Sequence, residues 1–125
     1  MYRIMLADDE GIVLDSLKMI INRNFDKECQ IETAKTGRDV IELAERFCPD
    51  IAFMDIQMPV MDGYEATRQI RKMDRSDTKT LPIYAVSANA LASDIQNAKD
   101  AGMDGHIAKP VDFDSIERVL KQYLS

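Results

Sequence analysis

Ile51-Ala52-Phe53-Met54-Asp55-Ile56-Gln57-Met58-Pro59-Val60-Met61-Asp62-Gly63 opens with four unbroken apolar residues and turns abruptly to an aspartate. A short continuous apolar run of this kind is the mark of a strand buried on both faces, as in a parallel sheet. Residues 56–59 do not start a helix, because Pro59 follows too soon. Asp55 therefore stands at a strand tip in front of a loop, and is no mere helix cap.

Working outward, the same design recurs. Ile4-Met5-Leu6-Ala7 is an apolar run ending in Asp8-Asp9, Ile83 to Val86 ends at Ser87, and His106 to Ala108 ends at Lys109-Pro110. Gln30 to Ala34 is a weaker strand. Between the runs, apolar residues return at helical spacing. They are Val13, Leu17, Ile20 and Ile21; then Val40, Ile41, Leu43, Ala44 and Phe47 after Thr36-Gly37; then Tyr64, Ala66, Thr67 and Ile70. Leu91, Ile95 and Ala98 follow, closed by Gly102, and Phe113, Ile116, Val119, Leu120, Tyr123 and Leu124 complete the set. Pro49 stops the second helix. The polar stretch Arg75 to Thr80 reads as a loop.

Five strands alternating with five helices predict an α/β fold, a doubly wound parallel sheet covered on both faces. Periodicity does not supply the strand order. No repeat, low-complexity tract or linker interrupts the pattern, so residues 1–125 read as one domain cut close to its edges.

Composition narrows the function. Of 125 residues, 46% are hydrophobic and 30% charged, which fits a soluble globular protein. No apolar run nears the ~20 residues that cross a bilayer, and MYRIMLADDE is no signal peptide. A cytoplasmic location is expected. Cys29 and Cys48 lack metal-site spacing and His106 is the sole histidine, so zinc is not expected. Two reduced thiols are. The net charge of −6 argues against nucleic acid bound by this stretch alone. It leaves room for a fused output or kinase domain outside the chain.

Ligands of such sheets sit at the carboxyl ends of the strands. Asp8, Asp9, Asp55, Ser87 and Lys109 would meet there. Three carboxylates so close repel one another, and at least one should hold its proton more tightly unless a cation intervenes. Mg²⁺ suits the set: it takes a few carboxylates, keeps waters and completes its shell with phosphate oxygens. The expected roles are Asp55 as nucleophile toward phosphorus, Asp8 and Asp9 as metal holders, and Ser87 and Lys109 as readers of the product. Alone, each has a bland reading: Asp8-Asp9 a solvated turn, Ser87 a helix cap, Lys109 a surface lysine. Their shared register favours the site.

The pieces Asp8-Asp9, Met54 to Gly63, Ser87-Ala88 and Lys109-Pro110 resemble the receiver domains of bacterial response regulators and hybrid sensor kinases, along nearly the whole chain. The resemblance implies a flavodoxin-like (βα)5 fold with strand order 2-1-3-4-5. It implies a cis peptide at Lys109-Pro110, metal coordination by Asp9, Asp55 and the backbone carbonyl of Gln57, and Asp8 acting through a water. The phosphoryl donor would be a phosphohistidine on a partner kinase or phosphotransfer domain. Gln57 and Asn89 would tune the phosphoryl lifetime. Phosphorylation would pull on Ser87 and repack the face of the fourth helix, fifth strand and last helix, with a phosphorylation-dependent homodimer as one outcome.

His106 departs from the pattern, standing where receivers often carry Tyr or Phe. It is either a partly exposed histidine without a chemical task or the stand-in for an aromatic that turns inward once Ser87 engages. Aspartate-nucleophile phosphatases need a second aspartate two residues on, where this chain has Gln57, so turnover of external substrates is not expected. A flavin site would need a phosphate loop after the first strand, and Asp8-Asp9 occupies that place. Through about Pro59 the chain resembles receivers of stand-alone transcription regulators. YEATRQIR, SANA and AGMDGHIAKP resemble hybrid-kinase receivers, the pattern of a mosaic or engineered chimera.

Overall fold

The computed structural model describes residues 2–25, 28–58, 61–87, 92–109 and 111–124. Five strands form one parallel sheet: β1 (Tyr2–Ala7), β2 (Cys29–Ala34), β3 (Ile51–Asp55), β4 (Ile83–Ser87) and β5 (Gly105–Ala108). Their order is β2-β1-β3-β4-β5, and every pairing is parallel. This is the flavodoxin-like arrangement that the resemblance implies. The chain leaves β1 outward to β2, then crosses back to β3. The winding therefore reverses between β1 and β3, and the two apolar runs that end in aspartate lie side by side.

Alternate residues of the central strands feed two cores. Ile4 and Leu6 of β1 and Ile51 and Phe53 of β3 face one side, with Leu14, Leu17 and Ile21 of α1 (Gly11–Asn24) and Ile116 and Leu120 of α6 (Phe113–Leu124). Met5, Ala52, Met54 and Ala85 face the other, with helices α2 (Gly37–Phe47), α3 (Gly63–Lys72) and α5 (Ala92–Ala101). All five residues of β3 are buried because it has strands on both edges and helices on both faces. Burying each large aliphatic side chain contributes about 1.5–3 kcal/mol.

Local signals set the ends of several helices. The Thr36 hydroxyl accepts from the Asp39 N–H at 3.1 Å, and Asp62 Oδ1 accepts from the Glu65 N–H at 2.9 Å. Cys48 takes up a left-handed conformation at φ 51 just before Pro49, so α2 stops there.

One expectation is corrected. Residues Ser76–Thr80 form a short helix, α4, within the stretch read as loop, so six helices are described rather than five. No apolar periodicity could have shown it. Its Thr78 is buried, and Arg71 of α3 donates to the carbonyls of Thr78 and Leu81 at 3.1 and 2.7 Å. A distant guanidinium thus satisfies the carbonyls that a helix C-terminus leaves open. Among the described residues no helix is long and apolar enough to cross a membrane.

Candidate functional site

Adjacent strands β1 and β3 deliver their acidic tips to one place. One carboxylate oxygen from each of Asp8, Asp9 and Asp55 lies within 4.8 Å of the others. Asp8 and Asp55 are buried, at 2% and 5% exposure, while Asp9 is exposed. Backbone amides orient both buried groups. Asp8 Oδ1 accepts from the Glu10 N–H at 2.9 Å, and Asp55 Oδ1 accepts from the Gln57 N–H at 3.0 Å.

Lys109, just past β5, reaches back over the sheet edge. Its ammonium donates to Asp8 Oδ2 at 3.1 Å and to Asp55 Oδ2 at 3.4 Å. Ser87 ends β4 buried, at 4% exposure, and its carbonyl accepts from the Lys109 N–H at 2.8 Å. The strand-tip residues named from the sequence therefore converge: three carboxylates within 4.8 Å of one another, an ammonium bonded to two of them, and the serine tied to the lysine through the backbone.

The electrostatics follow from burial first. Burial pushes the Asp55 carboxyl above its ordinary value, the Gln57 N–H pulls it down, the Asp8 charge pushes it up again, and Lys109 opposes; the net direction is up. The raised proton affinity expected of the acidic cluster is there, with desolvation ahead of repulsion as its cause. For Lys109, burial works against the ammonium, but the bond to Asp8 and the charges of Asp55 and Asp8 outweigh it and hold its pKa above the ordinary lysine value.

Gln57 is exposed beside the cluster. Asn89 and Pro110, and with Pro110 the Lys109-Pro110 peptide, lie outside the described residues. His106 is half-buried on β5, paired with Ala85, and its Nε2 is shielded from solvent without a hydrogen-bond partner among the described residues. Cys29 is half-buried at the start of β2, and Cys48 is exposed at the end of α2.

The strand-end reading passed over Lys35, which follows β2. Its ammonium lies 3.2 Å from where a Cβ on Gly11 would stand, against the first residue of α1. The rule applied to the other four strands, extended to the second, would have found it.

Buried carboxylate oxygens within a few ångströms, with an ammonium already partly balancing them, fit a hard divalent cation: the donors are all oxygen, and the cluster carries excess negative charge. The response regulator receiver domain model matches residues 4–121 of the chain. The chain belongs to this family. It is a receiver of two-component signalling, and its relatives are sensor kinases. It is 34% identical to the sensor histidine kinase RcsC of Escherichia coli K12 over 120 residues, 96% of this receiver but 12% of that kinase. The receiver thus spans a small fraction of the curated relatives it matches. Its fold superposes at a TM-score of 0.85 on the receiver domain of sensor histidine kinase PA1611 from Pseudomonas aeruginosa PAO1, 30% identical, with 98% of this chain and 96% of that chain covered. That structure holds a magnesium ion in its active site cleft. The receiver of Ssk1 from Saccharomyces cerevisiae, solved with the phosphotransfer protein Ypd1, shares the fold at a TM-score of 0.84 and 20% identity, with 98% of this chain and 88% of that chain covered.

Proposed function

We propose that this receiver accepts a phosphoryl group on Asp55 from a phosphohistidine of a sensor kinase or histidine phosphotransfer domain, in a Mg²⁺-dependent reaction. The observation that carries the reading is the convergence of Asp8, Asp9 and Asp55 within 4.8 Å around a lysine ammonium. The magnesium in the PA1611 receiver and the Ypd1 partner of Ssk1 support the same chemistry in relatives.

Asp8, Asp9, Asp55 and the Gln57 backbone carbonyl would hold Mg²⁺. When bound, the ion would screen the carboxylates from an incoming anionic phosphoryl group and offer coordination positions to its oxygens. Asp55 is ready to attack because the Gln57 N–H fixes Oδ1 and leaves Oδ2 toward Lys109. An Asp55 oxygen forms the new O–P bond as the P–N bond to the donor imidazole breaks, and the imidazole departs with its electron pair and takes a proton. Lys109 then pairs with a phosphoryl oxygen, and the Ser87 hydroxyl donates to another.

Phosphorylation adds about −1.5 to −2 charges at one point. A shift of Ser87 toward them is transmitted to Lys109, because the Ser87 carbonyl holds the Lys109 amide. The face of α5, β5 and α6 repacks in consequence, with His106 in place of the usual aromatic. A charge-assisted bond of about 1.5–3 kcal/mol moves a two-state balance roughly tenfold or more, and partner binding or a phosphorylation-dependent homodimer supplies the rest. In this reading the receiver works in the cytoplasm, catalyses only its own phosphorylation and dephosphorylation, and binds neither nucleic acid nor membrane through this domain.

Intact mass after incubation with acetyl phosphate and Mg²⁺ tests the assignment. Wild type should gain one phosphoryl unit, and Asp55→Asn or an EDTA control should gain none. A gain by Asp55→Asn at the wild-type rate would move the acceptor elsewhere.

A further inference from the structure

Helices α1, α2 and α3 all begin with glycine, at Gly11, Gly37 and Gly63. None is there for a left-handed backbone: among the described residues Gly102 is the glycine with positive φ. Alanine is the better helix former at an ordinary helical φ, so a glycine at these positions needs another reason. At Gly11 the nearest obstacle to a Cβ is the mobile end of Lys35, which can give way.

Gly37 and Gly63 are different. A Cβ on Gly63 would stand 2.6 Å from the backbone oxygen of Asp55 and 2.9 Å from Cα of Ile56. A Cβ on Gly37 would stand 2.6 Å from Cβ of Met61 and 2.7 Å from its backbone oxygen. Non-bonded carbons prefer about 3.5–4.0 Å. The opposing atoms are backbone or fixed to it, so no side chain can swing aside and the segment itself would have to shift.

That segment leads from Asp55 to Asp62, with residues 59 and 60 outside the described residues; Gly63 touches its described start and Gly37 its described end. Its first end is pinned by the Gly63 N–H, which donates to the Ile56 carbonyl at 3.2 Å. Gly63 is pinned in turn, since the wholly buried Thr67 donates to its carbonyl at 2.7 Å. Between the ends lies Gln57, whose N–H holds Asp55 Oδ1.

We propose that Gly63 and Gly37 are positioning residues for the phosphoryl transfer. By placing no side chain beneath either end of the loop, they set how closely the Gln57 backbone lies over Asp55. They thereby place both the N–H that orients the carboxylate and the carbonyl offered to the metal. The role rests on the reading of Asp55 as acceptor and names two residues that serve it without touching the phosphoryl group.

The test compares wild type with Gly63→Ala, Gly37→Ala and Gly102→Ala. Gly102→Ala controls for lost stability: its φ of 102 strains any Cβ, and it lies at the end of the sheet opposite the carboxylates. Three quantities are read: the Gln57 amide signal in metal-free protein, the Mg²⁺ concentration that half-saturates amide shifts, and the acetyl phosphate kinetics at saturating Mg²⁺. In Gly63→Ala the Gln57 signal should move, the half-saturating Mg²⁺ should rise, and the maximal rate should fall about ten- to a hundredfold. Gly37→Ala should follow in the same direction, and Gly102→Ala should lose stability with all three readouts at wild-type values. If Gly63→Ala does not fold, Gly37→Ala decides.

An unmoved Gln57 signal with unchanged Mg²⁺ binding in a folded glycine variant overturns the proposal. So does an equal loss in Gly102→Ala. A wild type that gains no phosphoryl group strikes the function proposed above instead, and the positioning role is then judged on the amide signal and the Mg²⁺ titration.

Discussion

The Lys109 ammonium stands 3.1 Å from Asp8 Oδ2 across 101 residues of chain, and 3.4 Å from Asp55 Oδ2 across 54. One cation is thus shared between two buried carboxylates from neighbouring strands. It offsets part of the cluster's negative charge without a bound ion.

Removing that ammonium should expose the imbalance. Lys109→Met leaves Asp8 and Asp55 buried and without their ammonium, at a cost of about 1–3 kcal/mol or more for charged groups. In EDTA the variant should melt below wild type. Mg²⁺ should raise its Tm by more than it raises that of wild type, since binding to the folded state alone stabilises by about 2.7 kcal/mol at a hundredfold excess over Kd. Calorimetry with and without Mg²⁺ checks this. Equal Mg²⁺-induced shifts in the two proteins would refute the shared-cation account.

Arg71 makes a prediction about stability rather than signalling. Its guanidinium donates to the carbonyls of Gly102 at 3.0 and 2.7 Å, Thr78 at 3.1 Å and Leu81 at 2.7 Å, and pairs with Asp104 at 3.1 Å. A lysine lacks the planar fork that reaches all of these at once. Arg71→Lys should lose about 2–4 kcal/mol in urea unfolding, from two or more carbonyls left unpaired. Phosphorylation of the folded fraction should proceed at the wild-type rate. A loss below about 0.5 kcal/mol, the range of ordinary surface changes, would show that water replaces the fork without cost.

Tyr84 sets the behaviour at alkaline pH. Its ring lies over β5, where Gly105 leaves room: a Cβ there would stand 2.6 Å from the ring. Burial, with the hydroxyl of Tyr123 at 3.4 Å, pushes the Tyr84 phenol up from 10.0 to about 12. The folded state therefore holds this proton more tightly than the unfolded chain. The contribution is complete below the ordinary value and is lost as pH climbs from about 10 through about 12. Tyr84→Phe should flatten the fall in stability over that window, and tyrosinate absorbance should show late ionisation in wild type. Ionisation of all four tyrosines near their ordinary value would contradict the burial.

Much of this was legible along the chain. A strand covered on both faces must run apolar without interruption, so Ile4–Ala7, Ile51–Met54 and Ile83–Val86 announced themselves, and the polar residue that ended each run marked the rim. Thr36 could be placed at the head of its helix because a cap is a contact between residues three apart. α4 was invisible, because five polar residues have no periodicity and a guanidinium from another helix completes their bonds.

Local chemistry thus decided which residues are strand, which are helix, and which polar groups stand at the tips. It could not say which tips are neighbours. Apolar periodicity reports that a face is buried but not against what, so the β2-β1-β3-β4-β5 order came from likeness to a family and was realised in the packed sheet. The 3.1 Å between Lys109 and Asp8, and the space denied to a Cβ at Gly63 by the Asp55 carbonyl, exist only once distant segments are laid against one another.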